Sequence, residues 1–334
     1  MKKVTVIVPA YNAAHCLSAA IESVLGQTYK NLELVVVDDG STDDTRVVAE
    51  RYGDRLRYIY QDNGGPSKAR NTGIKATDCD LIAFLDADDL WDSDKLAAQI
   101  EFMQAHTNLE LVFCDAELVD EGGRSYGSMW KQRGCYEAML DESQQLAWPF
   151  ATIMFMDCIL PSAVLLRRTC LDRAGLFDES LGYTEHGGVE DKELMLRIAL
   201  TSKMGCVPRP LMKRLRHEYS PRQVENVYES VIFVVKRMEQ LYPEKIVSDH
   251  IDTTQLLAPT YYQLGRCYLD QDKLPAARRA FWESLRLKAS STALAFWVIS
   301  LTGLATIHLL RRMKDVVVGR TSIQDLQAKR TKVE

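Results

Sequence analysis

Asp86-Ala87-Asp88 follows an apolar run over residues 81–85 and sets two carboxylates at alternate positions of one turn. Such a pair can hold a hard cation whose remaining ligands are diphosphate oxygens and water. The same D-x-D pattern also serves as an ordinary turn or helix cap, and its place after a buried strand is what favours chemistry. Asp39, within Asp38-Asp39-Gly40-Ser41, carries the same two readings, because Asp-Gly-Ser-Thr is also a good turn and helix start. The stretch 63–71, Asn-Gly-Gly-Pro-Ser-Lys-Ala-Arg-Asn, adds two cations, Lys68 and Arg70. They either face solvent or meet the negative charge of a nucleotide diphosphate. Neither G-x-G-x-x-G nor G-x-x-x-x-G-K-[ST] occurs, so a dinucleotide fold and a P-loop are both unsupported. Carboxylates gathered in one place repel a pyrophosphate. A divalent cation must lie between them, or the site binds something cationic.

These residues need elements to bring them together. Apolar runs at 4–8, 32–37, 56–60, 81–85 and 111–114 read as strands. Helical patterns lie between them at 14–25, 41–52, 67–76 and 93–104. Unbroken apolar strands alternating with helices imply an α/β fold, a mainly parallel sheet covered on both faces. Ligands of such sheets bind beyond the carboxyl ends of the strands. That is where Pro9-Ala10-Tyr11-Asn12, Asp38-Asp39 and Asp86-Ala87-Asp88 fall.

Four segments, in this order and spacing, carry a resemblance, VTVIVPAYNA, LVVVDDGSTDDT, NGGPSKARNTGI and IAFLDADD, and it continues through SAVLLRRTCLDRAGLFDESL and VEDKELMLRIA. Together they resemble the inverting, non-processive family 2 glycosyltransferases of bacterial type, which have the Rossmann-like GT-A fold. The resemblance covers the chain to about residue 217. It implies that Pro9, Ala10, Tyr11 and Asp39 meet the nucleoside and that Arg70 helps close the nucleotide pocket. Asp86 would approach the ribose, and Asp88 would coordinate Mn2+ or Mg2+ on the diphosphate. Asp191 matches the catalytic base, with Glu190 beside it as the alternative, and His217 is a candidate further metal ligand. A carboxylate at Asp191 can take the proton of an acceptor hydroxyl as that hydroxyl attacks. The Q-x-x-R-W element of processive relatives does not occur, so one transfer per encounter is expected.

Composition fits this reading. Of 334 residues 46% are apolar and 26% charged, the balance of a folded globular chain rather than a disordered or many-pass membrane one. Eight cysteines without a C-x-x-C pair suit a reducing cytoplasm. Residues 1–202 balance at −14 and residues 203–334 at +9, so two regions with different partners are expected. Residues 1–220 are assigned to a catalytic domain and 221–334 to a helical extension. Leu264-Gly265-x-x-Tyr268 followed by Ala277-x-x-x-Phe281 has tetratricopeptide spacing, read as one helical hairpin. Residues 289–310 hold no Asp, Glu, Lys or Arg and are flanked by Arg286, Lys288 and Arg311-Arg312. They fit a helix lying on an anionic membrane surface or one buried in the helical layer.

The expectation is a metal-dependent transferase moving one sugar from a nucleotide-sugar, by default a UDP-sugar, to a glycan or lipid-linked acceptor in cell-surface polysaccharide or glycoconjugate synthesis. It would act in the cytoplasm or at the cytoplasmic face of the inner membrane, with no nucleic acid partner. The alternative is a catalytically weak nucleotide-sugar-binding scaffold that acts through its helical tail.

Overall fold

The computed structural model describes residues 2–120, 122–134, 145, 149–155, 158–181, 189–215 and 221–302. They divide into two compact units, Met1–Glu218 and Tyr219–Glu334.

In the first unit the order is β1 (Val4–Ala10), α1 (Leu17–Leu25), β2 (Leu32–Asp39), α2 (Thr45–Glu50), β3 (Arg57–Gln61), α3 (Gly65–Lys75), β4 (Leu81–Phe84), β5 (Leu90–Trp91) and α4 (Lys95–Ala105). It continues with β6 (Leu111–Val119), β7 (Ser125–Ser128), α5 (Met129–Arg133), α6 (Pro149–Phe155), β8 (Leu165–Arg167), α7 (Arg168–Ala174), α8 (Glu190–Ala199) and β9 (Met204–Leu215). The sheet runs β3-β2-β1-β4-β8-β6-β9-β5, with β7 paired to β6. Its first four strands are parallel, as the alternating pattern predicts. Beyond β4 it is mixed, because β8 runs antiparallel to both β4 and β6.

Buried β-branched and aliphatic residues drive this half. Val4, Val6, Ile7, Val8, Val36, Val37 and Ile82 are fully enclosed. A parallel strand covered by helices on both faces meets no water, so it does not alternate polar and apolar residues as a half-exposed strand does. α3 lies close on β1. A Cβ at Gly73 would come within 2.4 Å of Ile7 Cγ2, a separation only glycine permits. One charge is enclosed with the apolar residues. Lys95, at the start of α4, is 0% exposed. Its ammonium donates to Gln99 Oε1 at 2.8 Å and lies 4.0 Å from the Trp91 ring centroid. Burial pushes its pKa down to about 8.

The second unit is helical: α9 (Pro221–Leu241), α10 (Pro243–Ser248), α11 (Thr254–Asp270), α12 (Leu274–Leu287) and α13 (Ser291–Leu301). α11 and α12 approach so closely that a Cβ at Gly265 would meet the Phe281 ring at 2.6 Å. Ser284 Oγ donates to the Ala258 carbonyl across the same seam, at 2.8 Å. Leu269, Ala277 and Phe281 form its core, with Tyr262, Phe296 and Ile299 packed on them. No helix among the described residues is long and apolar enough to cross a membrane. α13 ends at Leu301, and residues 303–310 of the proposed surface helix lie outside the described residues.

Candidate active site

Strand register assembles the site. Ala10 pairs with Asp38 and Ile7 with Phe84, so the carboxyl ends of β1, β2 and β4 lie side by side. The segments that follow them, carrying Tyr11, Asp39 and Asp86, therefore share one mouth of the sheet. Between them opens a cleft of about 650 Å³, the size of a small-molecule site. Pro9, Ala10, Tyr11, Asp39, Arg70, Asp86 and Asp88 all line it. Tyr11 is 48% exposed, which leaves its ring open to stacking.

The loop after β1 is fixed by the loop after β2. Asn12 adopts a positive φ of 49°, a conformation asparagine tolerates better than most residues. Its side-chain oxygen accepts from the Thr42 amide at 2.8 Å, and its own amide donates to Ser41 Oγ at 2.9 Å. Ala13 N donates to Thr45 Oγ1 at 2.8 Å. These bonds hold Tyr11 over the cleft.

Asp38 and Asp39 point to opposite faces of β2, as successive strand residues must. Asp38 accepts from Tyr58 and from the Ser41 amide. Asp39, 2% exposed, accepts at Oδ1 from Gln61 Nε2 (2.6 Å) and Gly64 N (2.9 Å), and at Oδ2 from Gly65 N (2.7 Å). Gln61 is its register partner on β3. Asp39 thus anchors the turn into α3, and of its two oxygens Oδ2 has the spare acceptor capacity for a ligand N–H.

Arg70 is the centre of the charge arrangement. It is buried, with one guanidinium nitrogen on Asp86 Oδ1 at 2.7 Å and the other on Glu190 Oε1 at 3.0 Å. The Phe177 ring lies beneath it, 5.3 Å away. Burial opposes the charge, but Asp86 and Glu190 outweigh that and raise its pKa. Its Nε, Glu190 Oε2 and Ser67 Oγ are enclosed and have no partner. Arg70 therefore ties the turn after β4 to the first turn of α8.

The carboxylates differ in surroundings. Asp88 is exposed at the lip, Asp86 is half-buried, and Asp89 is buried. Burial, followed by the charges of Asp86 and Asp88, drives the Asp89 carboxyl well above the usual range. Ser162 holds this turn, accepting the Asp86 amide at 3.0 Å through Oγ. No group of three or more His, Cys, Asp or Glu among the described residues is arranged to hold a metal alone. One exposed carboxylate beside a second already engaged by Arg70 fits a hard cation that takes most of its ligands from a bound diphosphate.

Asp191 is half-buried in the first turn of α8, and its charge acts on Arg70. It does not line the cleft, and Glu190 reaches the cleft only through Arg70. Residues 182–188, just before α8, lie outside the described residues, as do Arg216 and His217. Gln61, Ser162 and Phe177 escaped the sequence reading. Each acts through a contact from a distant strand or loop; Ser162 and Phe177 fall within a segment that carries part of the resemblance, residues 162–181, but nothing in it marks these two positions.

The fold is that of GT-A enzymes. S. aureus TarS 1-349 in complex with UDP-GlcNAc superposes with a TM-score of 0.57 at 20% identity, over 90% of this chain and 79% of that one. The mannosyltransferase PcManGT from Pyrobaculum calidifontis, in complex with GDP-Man and Mn2+, gives 0.52 at 19% identity over 91% and 84%. Residues 5–158 match the model of Glycosyl transferase family 2. That stretch is a family 2 glycosyltransferase domain. The chain is 36% identical over 182 residues to the uncharacterized glycosyltransferase RP339 of Rickettsia prowazekii (strain Madrid E), covering 54% of this chain and 55% of that protein. Over 119 residues it is 41% identical to the Escherichia coli UDP-Glc:alpha-D-GlcNAc-diphosphoundecaprenol beta-1,3-glucosyltransferase WfgD, covering 35% of this chain and 47% of that one. The chain spans about half the length of these curated relatives.

Proposed function

We propose that the first unit transfers a single sugar from a nucleoside diphosphate sugar, with UDP as the base-bearing leaving group, to a glycan or lipid-linked acceptor, with inversion. The observation that carries this reading is the convergence of Tyr11, Asp39 and the Asp86–Asp88 turn around one cleft of about 650 Å³. The names of TarS bound to UDP-GlcNAc and of WfgD support a UDP-sugar donor and a lipid-diphosphate acceptor. Polysaccharide or glycoconjugate synthesis at a membrane is the setting this implies.

In this reading Tyr11 covers the base and the Asp39 Oδ2 edge accepts from it. Arg70 fixes Asp86 towards the ribose. A divalent cation held by Asp88, with Asp86 beside it, would supply positive charge for the departing diphosphate; the Mn2+ of PcManGT is in keeping with that. Asp191 accepts the proton of the acceptor hydroxyl as it attacks the anomeric carbon from the side opposite the leaving group. That trajectory inverts the configuration.

A hydrolysis screen over nucleotide-sugars with Mn2+ tests the reading. Release of one nucleoside diphosphate from one donor class is expected. Tight donor binding without hydrolysis or transfer to any lipid-linked or glycan acceptor would favour the scaffold alternative instead.

A further inference from the structure

Among the described residues, the helices of the second unit leave one apolar surface uncovered. Residues 289–302 contain no charge at all, and α13 is uncharged on every side. One side joins the core, where Phe296, Trp297 and Ile299 pack on Leu269, Ala277 and Phe281. The other side is Leu294, Val298 and Leu301, each about half exposed and spaced by four and three residues. That spacing puts them on one stripe of the helix. Trp282 of α12, 50% exposed, lies beside Trp297 with ring centroids 5.8 Å apart, and extends the stripe onto a second helix.

The rim of this stripe is basic. On α12, positions three and four residues from Trp282 adjoin it, and these include Arg278, Arg279 and Arg286. Arg279, Arg286 and Lys288 are exposed, and Glu283 is the one acidic residue of the segment 274–302. Arg278 donates to the Ser300 carbonyl at 2.8 Å, which ties the basic side of α12 to the end of α13. Aliphatic residues and a tryptophan beside a row of cations on α12, of which Arg286 also meets Glu283 at 3.2 Å, match the boundary of an anionic bilayer. The indole sits at headgroup depth, the aliphatic chains reach the acyl region and the cations meet lipid phosphates. A second copy of the chain would bring the same cations together, which association disfavours.

We propose that the α12–α13 face of Trp282, Leu294, Val298 and Leu301 docks on an anionic phospholipid bilayer. This deepens the reading of a lipid-linked acceptor, and it rests on that reading for its purpose only, since binding to bare vesicles needs neither donor nor acceptor.

The test is flotation of the full chain with phosphatidylcholine vesicles, with and without phosphatidylglycerol, in the absence of nucleotide-sugar. Flotation with the anionic vesicles and a blue shift of tryptophan emission are expected. The double variant Trp282→Ser/Val298→Ser should bind at least about tenfold more weakly. The exposed charge reversals Arg279→Glu/Arg286→Glu should do the same with unchanged circular dichroism, which keeps the test decisive if the first variant misfolds. A full chain that ignores anionic vesicles overturns the proposal. So does equal flotation of parent and both variants, which would place attachment elsewhere in the chain. A dimer in solution that Trp282→Ser/Val298→Ser converts to monomer would assign the face to a second copy. Donor hydrolysis read in parallel separates the two ideas: its loss with normal flotation strikes the transferase reading alone.

Discussion

Glu190 and Asp191 are neighbours in sequence with opposite surroundings. Glu190 is buried against Arg70, while Asp191 is half-buried at the same helix start. The geometry suits Glu190 to positioning and leaves Asp191 as the candidate base. Asp191→Asn should bind donor normally while transfer falls by about 10²–10⁴. Glu190→Gln keeps a hydrogen bond to Arg70 but leaves its charge matched by Asp86, with a smaller contribution from Asp191. It should lower the melting temperature and weaken donor binding more than it lowers kcat. Thermal melts and a KM-against-kcat comparison of the two variants check this, and an active Asp191→Asn would transfer the base role to Glu190. At the cleft's lip, Asp88→Asn should lose metal-stimulated hydrolysis and metal-assisted nucleotide binding, measured by titration calorimetry with and without EDTA. Unchanged binding in both conditions would remove Asp88 from the metal assignment.

At the scale of elements, two close packings set the frame of the site. Gly73→Ala would gain about 1 kcal/mol of helix propensity but drive a methyl into Ile7, and overpacking of that kind costs about 1–3 kcal/mol. A net loss of stability is expected in urea melts. α4 holds the second packing, through Lys95. Its pKa is about 8 in the fold against 10.5 for a solvated lysine. Between those pH values the unfolded chain binds the extra proton, so this group's contribution to stability rises with pH. Lys95→Met should therefore stabilise the protein by on the order of 1–3 kcal/mol near pH 7, and the gain should shrink as pH rises from about 8 towards 10.5. A gain independent of pH would mean that packing, not charge burial, decides. The sequence made the first half of the sheet legible because β-branched runs, turn residues and helix starts agree there from residue 4 to 114. β8 was not legible, since its three residues take their place only through antiparallel pairing with strands remote in sequence. The polar turns that line the cleft stood out as motifs. The Arg70–Glu190 pair did not, because nothing local in either segment signals a partner 120 residues away. Lys95 likewise reads as an ordinary residue of a helix's first turn.

On the scale of the whole molecule, each unit has a core of its own, Val6, Ile7 and Val36 among others in the first and Leu269, Ala277 and Phe281 in the second. Two unfolding transitions are expected by calorimetry, of which UDP with Mn2+ should raise only the one belonging to the first unit. A single transition raised as a whole would show that the cores melt together. The enclosed lysine also gives the first unit a built-in tally of its own excursions. Acylating reagents reach an amine only when it is solvated, and Lys95 is 0% exposed, so it can be tagged only when α4 leaves the sheet. Lys75 or Lys288 on the surface would react at once, whereas the mass increment at residue 95 would accumulate at the frequency of deep opening. A time course of peptide masses would thus convert one awkwardly placed cation into a clock for how often the whole sheet comes apart.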